Sequence, residues 1–208
     1  YNGLIPRNPF IQFHISPNVK EREYLTEDEL KAVMTHEFAD SKLAYIRDIF
    51  IFASFTALSF VDIQELTNDN IVEVNGEKWI LSKRHKTKVA FQVKLLDIPL
   101  QIVERYRPMQ KDNRIFPGLN YWSICKPLKR MIRECGITKS ISFHCSRHGF
   151  ATLALSKGMP IESVSRVLGH TNIVTTQLYA KITTQKLDND LTMFGDKLSK
   201  TFNGITMS

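Results

Sequence analysis

For most of its length this chain places apolar residues three or four positions apart, the spacing that gives a helix one buried face. The first such run is Leu30, Val33 and Met34, preceded by Thr26-Glu27-Asp28-Glu29. A threonine N-cap with glutamate three residues on is a capping box, and it predicts a helix ending near Phe38. A second helix is predicted from Ser41 to Ala57, with Leu43, Ile46, Ile49, Phe50 and Ala53 inward. Its nearly continuous apolar end marks it as a central core helix. The period then shortens to two. Ile71, Val72 and Val74 read as a strand, Asn75-Gly76 as a type I′ hairpin turn, and Trp79, Ile80 and Leu81 as the partner strand. Val89, Phe91, Val93 and Leu95 give a third strand. Helical spacing returns at 97–107, closed by Pro108, and at 121–135. In the latter, Trp122, Ile124, Leu128, Met131 and Ile132 form the predicted buried side. The predicted fold is mainly α with a small antiparallel β-sheet, an α+β arrangement.

The candidate chemistry lies between His144 and Tyr179. His144 and Arg147 are three apart and share a helix face. Phe150, Leu153, Ala154 and Ser156 continue an amphipathic helix that stops at Gly158, and Pro160 opens the next. Ile161, Val164, Val167 and Leu168 give that helix its buried face, and Gly169 is predicted as a left-handed cap. His170 then sits at the mouth of a turn, with Tyr179 on a third short helical piece. These residue types suit a phosphodiester attacked in line. Arginine matches non-bridging oxygens with a planar fork and stays charged. Imidazoles donate hydrogen bonds or move a proton near neutral pH. A tyrosine hydroxyl, with an ordinary pKa of about 10, becomes a covalent nucleophile once its proton is accepted.

Composition narrows the class. A chain of 208 residues with 43% hydrophobic and 24% charged residues suits one large globular domain. A net charge of +7 points to a polyanionic partner and is silent on fold. Cys125, Cys135 and Cys145 form no CxxC pair, which suggests reduced thiols in a cytosolic compartment. Cys145 neighbours His144, but adjacent helical residues point about 100° apart. A buried thiol is expected there, and not a Cys–His nucleophile pair. The longest apolar run, Ile49 to Val61, is too short to cross a bilayer. The chain begins with Tyr1 and reads as a fragment of a longer protein.

Three segments are expected: a lead-in over 1–24, a main domain over 25–182, and a C-terminal helix and tail over 183–208. Pro6, Pro9 and Pro17 keep the lead-in irregular. Its Arg7, Lys20 and Arg22 suit a linker beside DNA or a solvated tail. Lys126, Lys129, Arg130 and Arg133 form a basic helix face that reads equally as a phosphate contact or a solvated surface. Leu187, Leu191, Phe194 and Leu198 give the C-terminal helix an apolar stripe, suited to docking on a neighbouring protomer or back on its own domain.

The ordered pair HCSRHGFAT and LGHTNIVTTQLYAKI, with Tyr179 nine residues after His170, resembles the catalytic half of the tyrosine recombinases, or phage-type integrases. The likeness extends upstream through LTEDEL and FTALSFVDIQELT, and Asn8-Pro9-Phe10 is similar to the motif that leads into that domain in many integrases. The resemblance implies the recombinase catalytic-domain fold and site-specific cleavage and rejoining of double-stranded DNA through a 3′-phosphotyrosine. It implies Tyr179 as nucleophile, Arg147 on the non-bridging oxygens, His144 and His170 assisting, and Lys86 protonating the departing 5′-oxygen. It implies no cofactor and no metal, a tetramer on DNA in the full-length protein, and a bacterial cytoplasmic, nucleoid-associated location without a membrane. One departure stands out. The family pattern TGLRxSE places its first catalytic arginine where this chain has Ser59. Arg84 is the expected replacement, because in an extended segment it shares a side with Lys86. The alternatives are a type IB-like topoisomerase and a catalytically impaired DNA-binding module.

Overall fold

Helix α2 (Ser41–Thr56) is the rod on which the other elements pack, in a computed structural model that describes residues 23–110, 112–180 and 184–203. Asp40 caps it by accepting from the Lys42 N–H at 2.9 Å. Ten of its sixteen residues are buried, among them Leu43, Ile46, Ile49, Phe50, Phe52 and Ala53, which is why its sequence shows little amphipathic contrast. Helices α1 (Glu27–Thr35), α4 (Asp97–Tyr106), α5 (Tyr121–Glu134) and α6 (His144–Ser156) lie against it. Asp48, 2% exposed, is satisfied by Arg47 Nε, Arg105 Nη1 and the Tyr106 hydroxyl, at 2.9, 2.7 and 2.7 Å.

After α2 the chain turns through Ala57 into α3 (Phe60–Gln64), then enters the sheet. Strands β1 (Ile71–Val74), β2 (Glu77–Lys83) and β3 (Ala90–Lys94) are antiparallel in the order β1-β2-β3. Asn75 and Gly76 both adopt positive φ, 53° and 78°, as a type I′ turn requires. The fold is thus mainly helical with a small antiparallel sheet. Beyond α6, helices α7 (Ile161–Leu168) and α8 (Val174–Gln177) close a second, smaller apolar cluster of Ala57, Ala151, Leu155, Val164 and Leu168, with Tyr179 packed at its margin. Helix α9 (Thr184–Thr201) follows.

Three expectations change. Helix α1 stops at Thr35, because His36 is extended and its carbonyl is taken by Arg47 Nη1 at 2.9 Å. Trp122 is 85% exposed. It lies two residues, about 200°, from Ile124, and so faces away from the apolar side. The buried stripe of α6 runs through Arg147, Ala151 and Leu155, and Phe150, Leu153 and Ala154 are only half-buried. The stripe of α9 is exposed at Leu187, Leu191, Phe194 and Leu198. Cys145 is a buried thiol as expected, accepting from the Ser142 N–H at 3.3 Å. Asn8-Pro9-Phe10, the basic lead-in residues and the last residues of the tail lie outside the described residues.

Phe52→Ala should cost about 3–5 kcal/mol in urea-melt stability, because it empties a fully buried site. Trp122→Ala should stay within about 0.5 kcal/mol, as expected for a side chain on the surface. Equal losses would place Trp122 in the core after all.

Candidate active site

Two guanidinium groups meet at the C-terminal end of α7. Arg147, from the first turn of α6, donates from Nη1 to the Ala57 carbonyl at 2.8 Å and from Nη2 to the Leu168 carbonyl. Arg84, just past β2, donates from Nη1 to Asp62 Oδ2 at 2.8 Å and from Nη2 to the Val167 carbonyl at 2.5 Å. Val167 and Leu168 are consecutive, so neighbouring carbonyls hold the two groups side by side. Those carbonyls belong to the negative end of the helix dipole. Both side chains are interior, with Arg147 8% and Arg84 6% exposed. The Arg84 guanidinium also lies 4.0 Å from the centroid of the Phe91 ring, a cation–π contact. Its Nε is buried with no partner among the described residues.

Gly169 makes this packing possible in two ways. It caps α7 with φ 63°, and a Cβ there would lie 2.9 Å from Arg84 Nε. An alanine would therefore meet both a disfavoured backbone region and the side chain it must clear.

Asp62 anchors the other side. Its Oδ2 accepts from Arg84 Nη1 and from the Ser59 hydroxyl at 2.7 Å, and its Oδ1 accepts from the His85 N–H at 3.0 Å. Burial alone would raise the Asp62 pKa, but the hydrogen bonds from His85, Ser59 and Arg84 outweigh it and hold the carboxyl ionised. Burial lowers the Arg84 pKa, and Asp62 opposes that shift. Ser59 is the N-cap of α3 and forms a capping box with Asp62. Ser59 thus holds in place the carboxylate that pairs with Arg84.

His170 and Tyr179 complete the cluster. His170 Nδ1 lies 2.9 Å from Thr176 Oγ1, and Thr176 is fully buried. Burial, then the charges of Arg147, Arg84 and His144, push the His170 pKa down to about 4, so the ring is neutral at pH 7. Burial and the neighbouring Arg84 lower Arg147 to about 10, with Tyr179 and Asp62 opposing, and the group stays cationic. His144 is exposed at the start of α6, and Tyr179 is half-buried after α8. The charges of Arg147, Arg84 and His144 thus bear on His170, and that of Tyr179 on Arg147.

Lys86 is placed differently. Residues 85–87 form a turn closed by Arg84 N–H to the Val89 carbonyl at 2.8 Å and Lys88 N–H to the Arg84 carbonyl at 2.9 Å. The expectation of an extended segment with Arg84 and Lys86 on one side is thus incorrect. Arg84 points inward and Lys86 is exposed on the turn, where it makes no hydrogen bond or ion pair among the described residues. Its neighbour His85 fixes the turn to α3 through Asp62 and through Nδ1 to Glu65 Oε1 at 2.7 Å.

The profile of the Phage integrase family matches residues 23–186. The chain belongs to that family. It is 32% identical to the tyrosine recombinase XerA of Pyrococcus horikoshii over 177 residues, 78% of this chain and 58% of XerA. It is 26% identical to XerD of Listeria innocua over 204 residues, 90% of this chain and 67% of XerD. The fold matches the Tn1549 transposon integrase solved with a circular intermediate DNA, at a TM-score of 0.75 and 17% identity, over 91% of this chain and 72% of that one. The chain thus spans roughly three-fifths to two-thirds of the curated relatives named here.

Asp62, Thr176 and His148 carry no role that the sequence alone points to. An acidic residue three after Ser59 was a readable capping box. No sequence signal tied it to Arg84, twenty-two residues on. Among the described residues no group of three or more His, Cys, Asp or Glu side chains is arranged to hold a metal ion. No described helix is long and apolar enough to cross a membrane.

The His170 shift fixes a pH dependence. Its folded pKa of about 4 lies below the ordinary value near 6.5, so the unfolded chain binds a proton that the folded chain refuses. This contribution to stability is present above about pH 6.5 and is lost as pH falls toward 4. Thermal melts followed by circular dichroism should fall between pH 7 and 4.5, and fall less steeply in His170→Gln. Parallel slopes in the two proteins would remove His170 as the cause.

Proposed function

We propose that this chain is the catalytic domain of a site-specific DNA recombinase that cuts and rejoins strands through a 3′-phosphotyrosine. One observation carries the reading. Two guanidinium groups are buried together against a single carboxylate, beside a neutral imidazole and a tyrosine. The surplus positive charge suits one phosphate group. Tyr179 Oη attacks the scissile phosphorus, the Oη–P bond forms, and the P–O5′ bond breaks. Arg147 and Arg84 hold the non-bridging oxygens. His144 and His170 assist by accepting the tyrosine proton or by hydrogen bonding to the phosphate. Lys86, on its exposed turn, gives a proton to the departing 5′-oxygen once DNA draws the turn in. Rejoining reverses each step, so the bond energy is kept and no nucleotide triphosphate is consumed.

Arg84 beside Arg147 supports an active enzyme over an impaired DNA-binding module, since the missing arginine is supplied from another element. The partner is double-stranded DNA, and the bacterial cytoplasm at the nucleoid is the setting. The exposed stripe of α9 supports self-association, as a tetramer on DNA in the full-length protein.

The test is a nicked suicide duplex carrying the site that the unsubstituted chain selects from a random-sequence pool. The protein should form a covalent adduct, and Tyr179→Phe should form none while still binding. Arg84→Ala should lower the rate of adduct formation by about 10²–10³. Adding Ser59→Arg to that variant should recover part of the loss, because Asp62 is there to receive the new guanidinium. An adduct that persists in Tyr179→Phe rejects the nucleophile, and normal cleavage by Arg84→Ala rejects the replacement.

A further inference from the structure

His148 has no part in the chemistry described above, yet its ring touches Tyr179. The ring centroids are 4.7 Å apart with the planes tilted by 58°. The imidazole also meets the Tyr24 ring edge-on, at 5.3 Å. Tyr24 belongs to the segment that carries the chain into α1, and that segment is held firmly. The Ser140 N–H donates to Glu23 Oε2 at 2.6 Å, and Lys139 Nζ donates to the Tyr24 carbonyl at 3.2 Å and pairs with Glu29 at 2.6 Å. Leu25, next in line, is buried in the main core. The following residue on α6, Gly149, packs directly against this segment, so that a Cβ there would lie 3.9 Å from both Tyr24 Cβ and the Leu25 carbonyl oxygen.

Tyr179 has much less support of its own. It follows a helix of only four residues, and its N–H bonds to the Thr176 carbonyl at 3.0 Å. It packs at the edge of the smaller apolar cluster. A phenol ring on so short a support is free to rotate unless a neighbour fixes its plane. Edge and tilted ring contacts of this kind favour one relative orientation of the paired rings.

We infer that His148 is a positioning residue: a ring wedged between Tyr24 and Tyr179 that sets the attack angle of the nucleophile and ties it to the lead-in segment. The inference rests on the reading of Tyr179 as nucleophile. In-line attack tolerates little misalignment, and a displacement of about 1 Å costs on the order of 100-fold in rate. The wedge acts through shape. A phenyl ring at 148 therefore serves where a methyl group does not, and removing Tyr24 loosens the nucleophile from a distance.

Two measurements test this on the 208-residue chain. The first needs no DNA. With ring-labelled ¹³C-tyrosine, the Tyr179 resonance, assigned by its loss in Tyr179→Phe, should move in His148→Ala and in Tyr24→Ala and return toward its original place in His148→Phe. The second is single-turnover adduct formation on the selected nicked duplex at saturating protein. His148→Ala and Tyr24→Ala should be about 10- to 100-fold slower with unchanged DNA affinity, and His148→Phe should be within a few-fold of the unsubstituted chain. The slowing should persist on a duplex with a 5′-bridging phosphorothiolate, whose leaving group needs no proton. Relief on that substrate would make His148 part of leaving-group protonation and overturn the inference. So would a His148→Phe variant as slow as His148→Ala, or a Tyr24→Ala variant that changes neither the resonance nor the rate. If Tyr179→Phe still forms an adduct, the nucleophile reading fails, and the resonance shifts still report whether the wedge exists.

Discussion

Putting two like charges side by side in a protein interior is the constraint that the site of this chain is built to meet. Desolvation alone opposes it, and the mutual repulsion of Arg84 and Arg147 adds to the cost. Three features offset this: one buried carboxylate at Asp62, two consecutive carbonyls at the end of α7, and the face of Phe91. Each is a fixed dipole or charge that needs no rearrangement when an anion arrives. Such preorganisation makes electrostatic stabilisation effective in a transition state. Burial, and then the same field, keep His170 neutral, because a third positive charge in that space is disfavoured.

The rest of the fold serves that junction. Helix α2 ends in the left-handed residue Ala57, whose φ is 57°. A left-handed alanine costs roughly 1–2 kcal/mol. That turn aims the Ala57 carbonyl at Arg147 and starts the path to Ser59 and Asp62. The small sheet delivers Arg84 from the other side. Helix α7 lies between, packed on β3, with its last turn bonded to both arginines. Gly169 ends that turn without a Cβ, which leaves room for the Arg84 stem.

Much of this was legible in the sequence, and the failures have physical causes. Periodicity found the long helices and all three strands, because each buries a face and repetition along the chain records that burial. The Thr26 capping box and the Asn75-Gly76 turn were readable because local backbone geometry demands those residues. Trp122 was misplaced because hydrophobicity was counted without regard to angle. Arg147, His170 and Tyr179 stood out through their ordered motif. The Asp62–Arg84 pair did not, since its members sit on different elements and long-range pairing leaves no trace in spacing. Arg84 was chosen on the premise that its segment is extended. It reaches the site because the strand ends there and the next three residues turn away.

A buried guanidinium at the end of β2 decides what must move together. An arginine at position 59 would be fixed to the helical core, independent of the hairpin. Here Arg84 and the turn that bears Lys86 are one continuous segment, clamped by Asp62 through both the Arg84 side chain and the His85 N–H. Displacing the turn pulls on the carboxylate that neutralises Arg84. Fixing the turn fixes the arginine. The position of Lys86 is thereby coupled to the charge balance between Arg84 and Asp62. Ser59 takes part through its hydroxyl, which holds the carboxylate that both ends of this segment require. Ser59 and Arg84, on two different elements, are thus joined through Asp62.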